Sequence, residues 1–149
     1  MSKGAIAVAV DGSEASLGAL DYALGLARTE GRPVAGVFVL DTGWADYIGN
    51  DWQSAAGARQ GFLDYVRGHL EAQAEAAREQ FAQATAGVAN ANFSVIPGDP
   101  LDALTEMMAA GDADILVAGS KVFQVCGRPS LKTLKRDLPK RVRQPVVII

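Results

Sequence analysis

Ala5-Ile-Ala-Val-Ala-Val10, followed at once by Asp11-Gly-Ser13, is the stretch whose reading decides the fold. An unbroken apolar run of small and β-branched residues suits a strand covered on both faces, the condition found in parallel sheets. Asp11-Gly-Ser13 ends the strand, and either Asp11 or Ser13 can cap the helix that follows. Leu17, Leu20, Ala23, Leu24 and Ala27 then recur at helical spacing, until Gly31-Arg-Pro33 stops them. A buried strand leading through a short polar turn into an amphipathic helix is the opening of a β-α-β unit.

The same alternation continues outward from that opening. Val34 to Leu40 reads as a second strand. Residues 41–60 have no clear period and hold Trp44, Tyr47 and Trp52 among scattered glycines, so they form a functional flap or are partly helical. The three aromatics suit stacking on a ligand, or covering a dimer interface or sheet edge. A long Ala-, Glu-, Gln- and Arg-rich helix is expected from about Phe62 to Ala86, closed by Gly87. Phe93 to Ile96 is a short third strand. Asp99 caps the next helix, Leu101 to Ala110, with Pro100 at its first position. Asp114 to Ala118 and Pro145 to Ile149 complete five strands. Strands alternating with helices predict one doubly wound α/β domain over residues 1–149, Rossmann-like, with a parallel sheet and helices on both faces. The closing run Val146-Val-Ile-Ile149 leaves an apolar edge uncovered, which a two-fold homodimer would cover.

Composition narrows the function classes. The 149 residues are 49% hydrophobic and 21% charged, as in a globular protein. No apolar run approaches the roughly 20 residues that span a bilayer. Met1-Ser2-Lys3-Gly4 leads into the first strand without a secretory signal, and a lone cysteine, Cys126, fits a reducing compartment. A cytoplasmic protein with no membrane partner is expected. Residues 1–120 carry 6 basic and 16 acidic residues, whereas residues 121–149 carry 8 basic residues against Asp137 alone. Such a basic segment either attracts phosphates or an acidic partner, or is a solvated helix face. An acidic chain with no nucleic-acid motif argues against nucleic-acid binding.

Catalytic constellations are missing from the sequence. It has no Ser-His-Asp set, no HExxH and no CxxC, and His69 sits mid-helix among polar residues, where solvation suits it better than an acid–base role. Cys126 lies near Arg128, which favours a thiolate, but it has no second cysteine to resolve it. No catalytic or metal-ligating residue is assigned, and the chain is not expected to be an enzyme. Ligands of doubly wound sheets bind beyond the carboxyl ends of the strands. That directs attention to Asp11-Gly-Ser13, to Asp41 onward, to Gly98-Asp-Pro100 and to Gly119-Ser-Lys121, whose backbone amides suit an anion.

Val8-Ala-Val-Asp-Gly-Ser13, the Ala-rich first helix, Gly98-Asp-Pro100, Ala113-Asp-Ile-Leu-Val-Ala-Gly-Ser120 and Gln144-Pro-Val-Val-Ile148 together resemble the universal stress protein family over the whole chain. The resemblance implies strand order 3-2-1-4-5, a crevice between the first and fourth strands, and a homodimer paired through Val146–Ile149. Nucleotide-binding members carry Gly-x-x-Gly, nine residues, then Gly with Ser or Thr. Gly119 fills the first position, Val122 and Lys132 replace the other two glycines, and Thr133 holds the hydroxyl position. A β-branched residue is a poor replacement where positive φ is needed. The chain therefore resembles the branch without the complete ATP motif, and no cofactor is assigned with certainty. Pro139 falls where the family continues a helix, at a cost of about 3 kcal/mol in a helix interior, so a remodelled segment is expected there. By the same resemblance, ATP or AMP would meet Val10, Asp11, Val39, Gly119, Lys121 and Thr133. Lys121, Lys132 and Lys135 would supply charge where backbone contacts are lost.

Overall fold

The computed structural model describes residues 4–45, 57–123 and 134–149, with Lys135 described in its backbone only. Tyr47, Trp52, Cys126, Arg128, Lys132, Thr133 and the Lys135 side chain, each singled out by sequence, lie outside that description. The elements are β1 (Ile6–Ala9), α1 (Glu14–Glu30), β2 (Val34–Asp41), α2 (Ala58–Ala84), β3 (Ala91–Gly98), α3 (Pro100–Ala109), β4 (Ile115–Ala118), α4 (Leu134–Arg141) and β5 (Val146–Ile148).

All five strands are parallel, in the order β3-β2-β1-β4-β5. The order reverses direction after β3, so right-handed crossovers place α1 and α2 on one face and α3 and α4 on the other. The packing agrees, since α1 meets α2 and α3 meets α4. β1 is the central strand, with Ile6 opposite Val34 on one side and Ile115 on the other. Every residue of β1 is buried, as the unbroken apolar run predicts.

Local chemistry explains the element boundaries. Ser13 is the N-cap of α1, its hydroxyl accepting from the Ala15 amide at 3.2 Å. Gly31 closes α1 in the left-handed region, and its amide bonds the Ala27 carbonyl. Ser16, Ala19, Leu20, Ala23, Leu24 and Ala27 make the buried stripe of α1. Asp99 caps α3 by accepting from the Asp102 amide at 3.2 Å, with Pro100 in the first turn, as expected.

The larger departures from the sequence reading have local causes. α2 begins at Ala58, four residues before Phe62, because Gly57 starts it in a left-handed conformation with no side-chain cap to mark the place. It ends at Ala84, where the Thr85 hydroxyl turns back to the Phe81 carbonyl at 2.7 Å. β3 runs from Ala91 to Gly98 and takes in Pro97, which an edge strand tolerates because no ladder bond is needed on its outer side. Pro139 does not break α4, contrary to the expected remodelling of its surroundings. Leu134, Leu138 and Val142 form a buried stripe, and the Val142 amide resumes helical bonding to Leu138 at 3.1 Å. Packing of that stripe offsets the one bond the proline cannot make.

Candidate functional site

The site is built where β1 ends. Asp11 is 1% exposed, and both of its carboxylate oxygens are engaged. Oδ1 accepts from the Ser13 amide at 2.9 Å and the Ser13 hydroxyl at 2.5 Å. The Ser16 hydroxyl lies 2.9 Å from Oδ1 and 2.7 Å from Gln80 Oε1. Its one proton serves one acceptor at a time. Gln80 Nε2 in turn donates to the Ser13 carbonyl at 2.9 Å, tying α2 to the start of α1. Ser13 therefore takes the cap and Asp11 holds Ser13 in place, which resolves the two capping alternatives.

The other oxygen reaches across the sheet. Asp11 Oδ2 accepts from the backbone amide of Phe123, 112 residues away and just past β4. Phe123 is 1% exposed and has φ of +66°, a left-handed conformation that costs a bulky side chain strain. Its ring packs edge-on against Phe38, with centroids 5.8 Å apart and planes at 78°. Phe38 shares a β2 face with Gly36, and Phe81 of α2 stands over Gly36, so Phe123 lies on the α1–α2 side of the sheet. The Phe123 amide thus meets Asp11, while its ring is buried against Phe38.

The rest of the loop after β4 also turns inward. The Ser120 amide donates to the Ile149 carbonyl at 2.9 Å and the Val122 amide to the Gly119 carbonyl at 3.1 Å. Three amides of the would-be phosphate loop, those of Ser120, Val122 and Phe123, therefore have protein acceptors. Gly119 has a packing reason to be glycine, because a Cβ there would collide with the Ala15 carbonyl oxygen. Val10 and Val39 are buried in the core, and Lys121 is exposed. The structure thus brings Val10, Asp11, Gly119 and Lys121 to the ends of adjacent strands, with Val39 one strand further on.

Ser16, Gln80 and Phe123 were not singled out from sequence. Ser16 has a signal, being a polar residue on the apolar stripe of α1. Gln80 and Phe123 have none, since their partners are far away in the chain.

A second opening lies one strand over. Leu40, Asp41, Trp44, Leu63, Val66, Arg67 and Leu70 are among the residues lining a cavity of about 240 Å³ between the end of β2 and the first half of α2. Asp41 is 5% exposed, and its Oδ1 accepts from the Gly43 amide at 2.9 Å. Trp44 is half-buried and packs edge-on against Phe62 at 6.2 Å. Arg67 is exposed, with no ion pair or hydrogen bond among the described residues.

The remaining candidates are surface features. His69 is exposed and stacks on Tyr65, itself 70% exposed. On the basic α4, Arg136 pairs with Asp137 at 3.2 Å and Arg141 with Asp102 at 2.8 Å, while Lys140, and Arg143 just past the helix, are exposed. Among the described residues no group of three or more His, Cys, Asp or Glu could hold a metal ion, and no helix is long and apolar enough to cross a membrane.

No curated protein matches this chain. Among solved structures, a universal stress protein in complex with cAMP is similar over 100% of this chain and 98% of that one, at 22% identity and TM-score 0.68. The Archaeoglobus fulgidus universal stress protein in complex with dAMP covers 100% and 99%, at 19% identity and TM-score 0.66. A universal stress family protein from Arabidopsis thaliana with AMP bound covers 98% and 90%, at 18% identity and TM-score 0.64. Identities this low speak to the fold. The family's own profile goes further, matching residues 4–138 under the description universal stress protein family. From the buried first strand to α4, the chain belongs to the universal stress protein family.

Proposed function

We propose that this chain is a regulatory protein of the universal stress type, acting in the cytoplasm as a homodimer, by binding and not by turnover, and without ATP in the family's usual mode. The observation that carries the reading is the fate of the loop amides after β4. A triphosphate needs backbone N–H groups converging on it. Here the amides of Ser120, Val122 and Phe123 donate to Ile149, Gly119 and Asp11. Redirecting those of Val122 and Phe123 would leave the buried Gly119 and Asp11 acceptors unsatisfied, at about 1–3 kcal/mol each.

The dimer is supported by β5, which pairs with β4 alone among the described strands. Beside it Ile149 packs against Gly18 and is 45% exposed, and α1 also exposes Leu17 and Tyr22. An apolar sheet edge continuous with exposed apolar side chains is the kind of surface a second copy covers.

A second reading is an adenine-nucleotide module with at most weak hydrolysis. The relatives in complex with cAMP, dAMP and AMP favour it, as does the exposed Lys121, unpaired among the described residues, near the crevice. Two measurements on freshly purified protein separate the readings. The first reading expects a dimer by sedimentation and no nucleotide released on denaturation. Stoichiometric release of ATP would overturn it, and release of AMP would select the second.

A further inference from the structure

Asp11 has one oxygen committed to building the fold and one committed to closing it. Oδ1 holds the cap of α1 through the Ser13 amide and hydroxyl. Oδ2 has a single hydrogen bond among the described residues, from the Phe123 amide. Asp11 is 1% exposed, so a ligand hydroxyl reaches Oδ2 only when Phe123 moves aside, because displacing Ser13 would undo the helix start. The ring adds to the obstruction, lying 1% exposed against Phe38.

We propose that Phe123 is the specificity-determining residue of the crevice: its amide and ring occupy the acceptor and the flat apolar surface that a nucleoside needs, so a ligand enters only by displacing it. The inference rests on the reading that the crevice beside Asp11 is the ligand site. Phe123 is held against a conformational preference, since its φ of +66° is one that bulky L residues avoid. Strain of this kind persists only where surrounding contacts over-determine it. Those contacts are the Oδ2 bond, the Phe38 edge and the tight turn closed by the Val122 amide on Gly119. Releasing Phe123 exposes Oδ2 as an acceptor for a sugar hydroxyl and the Phe38 ring as a wall for a base. Lys121, two residues away and unpaired among the described residues, can meet one anionic group. The turn amides of Ser120 and Val122 remain engaged, so the ligand class is a nucleoside or its monophosphate and not the triphosphate.

Three measurements on the full chain test this. In the unliganded wild type, amide exchange at Phe123 is slowed by about a hundredfold, and exchange at the unprotected rate overturns the closure itself. Phe123→Gly accepts the positive φ, keeps the amide and removes the ring, and Phe123→Asn does so with a side chain that tolerates this conformation. Whichever variant retains the wild-type circular dichroism binds AMP at least about tenfold more tightly than wild type by calorimetry. Equal or weaker AMP binding by a folded variant overturns the proposal. Titration with Mg-ATP separates the two claims. Micromolar binding by wild type removes the proposed function, whereas silence towards Mg-ATP with no gain for AMP in the variants removes only the role of Phe123.

Discussion

The carboxyl end of this sheet carries two openings of opposite construction. At β1 and β4 the Asp11 carboxylate and the amides of Ser120, Val122 and Phe123 are bonded within the protein. Asp11 bridges the α1 cap to the Phe123 amide, Gly119 lies against the Ala15 carbonyl, and the Phe123 ring is buried against Phe38. At β2 and α2 a cavity of about 240 Å³ is lined by apolar side chains, with a buried carboxylate at Asp41 and an exposed cation at Arg67. The difference teaches that polar groups at the end of a strand can be used up by the fold itself. In the loop after β4 the amides of Ser120, Val122 and Phe123 find their acceptors within the chain. The Asp11 and Gly119 contacts on the β1–β4 side should then act on stability, and the exposed Arg67 on the β2–α2 side should not.

The largest effect is expected at Gly119→Ala. Its Cβ has no room against the Ala15 carbonyl, so strand or helix must shift, at about 3 kcal/mol or slightly more by denaturant unfolding. A neutral Gly119→Ala would mean that β4 and α1 separate easily and that the crevice is not closed. Next comes Asp11→Ala, which leaves the Phe123 and Ser13 amides without their acceptor and is expected to cost about 2–3 kcal/mol. Ser13→Ala removes the cap alone, for about 1 kcal/mol. Arg67→Ala, on the other side of the comparison, is expected to stay within about 0.5 kcal/mol of wild type. If Arg67→Ala unfolds as readily as Asp11→Ala, the contrast between the two openings fails.

The sequence was most legible where burial and local chemistry coincide. Ile6–Ala9 is covered on both faces and was read from its unbroken apolar run. α3 announced itself through Asp99 and Pro100, whose roles depend only on residues one turn away. β3 was harder, because an edge strand alternates half-buried and exposed positions, and Asn92, Ser94 and Pro97 on its outer positions obscure the pattern. Pro139 misled because its local penalty is real, yet the buried Leu134, Leu138 and Val142 outweigh it.

At the site, Asp11 could be picked out from its place after a buried strand, and Gly119 from its place after another. Their partners could not. The Asp11–Phe123 bond joins the first and fourth strand ends through 112 residues of chain, and only the sheet order brings them together. Nor does Gly119 reveal from sequence that a carbonyl of α1 sits where its side chain would be. A glycine looks the same whether a phosphate or a helix approaches it.

Calorimetric titration of the wild-type protein with Mg-ATP tests the central claim most directly, that the loop after β4 is closed by the protein's own acceptors. No saturable heat up to millimolar nucleotide is the predicted result. Micromolar binding with one site per chain would contradict it, for the amides of Ser120, Val122 and Phe123 would then have to leave Ile149, Gly119 and Asp11 at little cost.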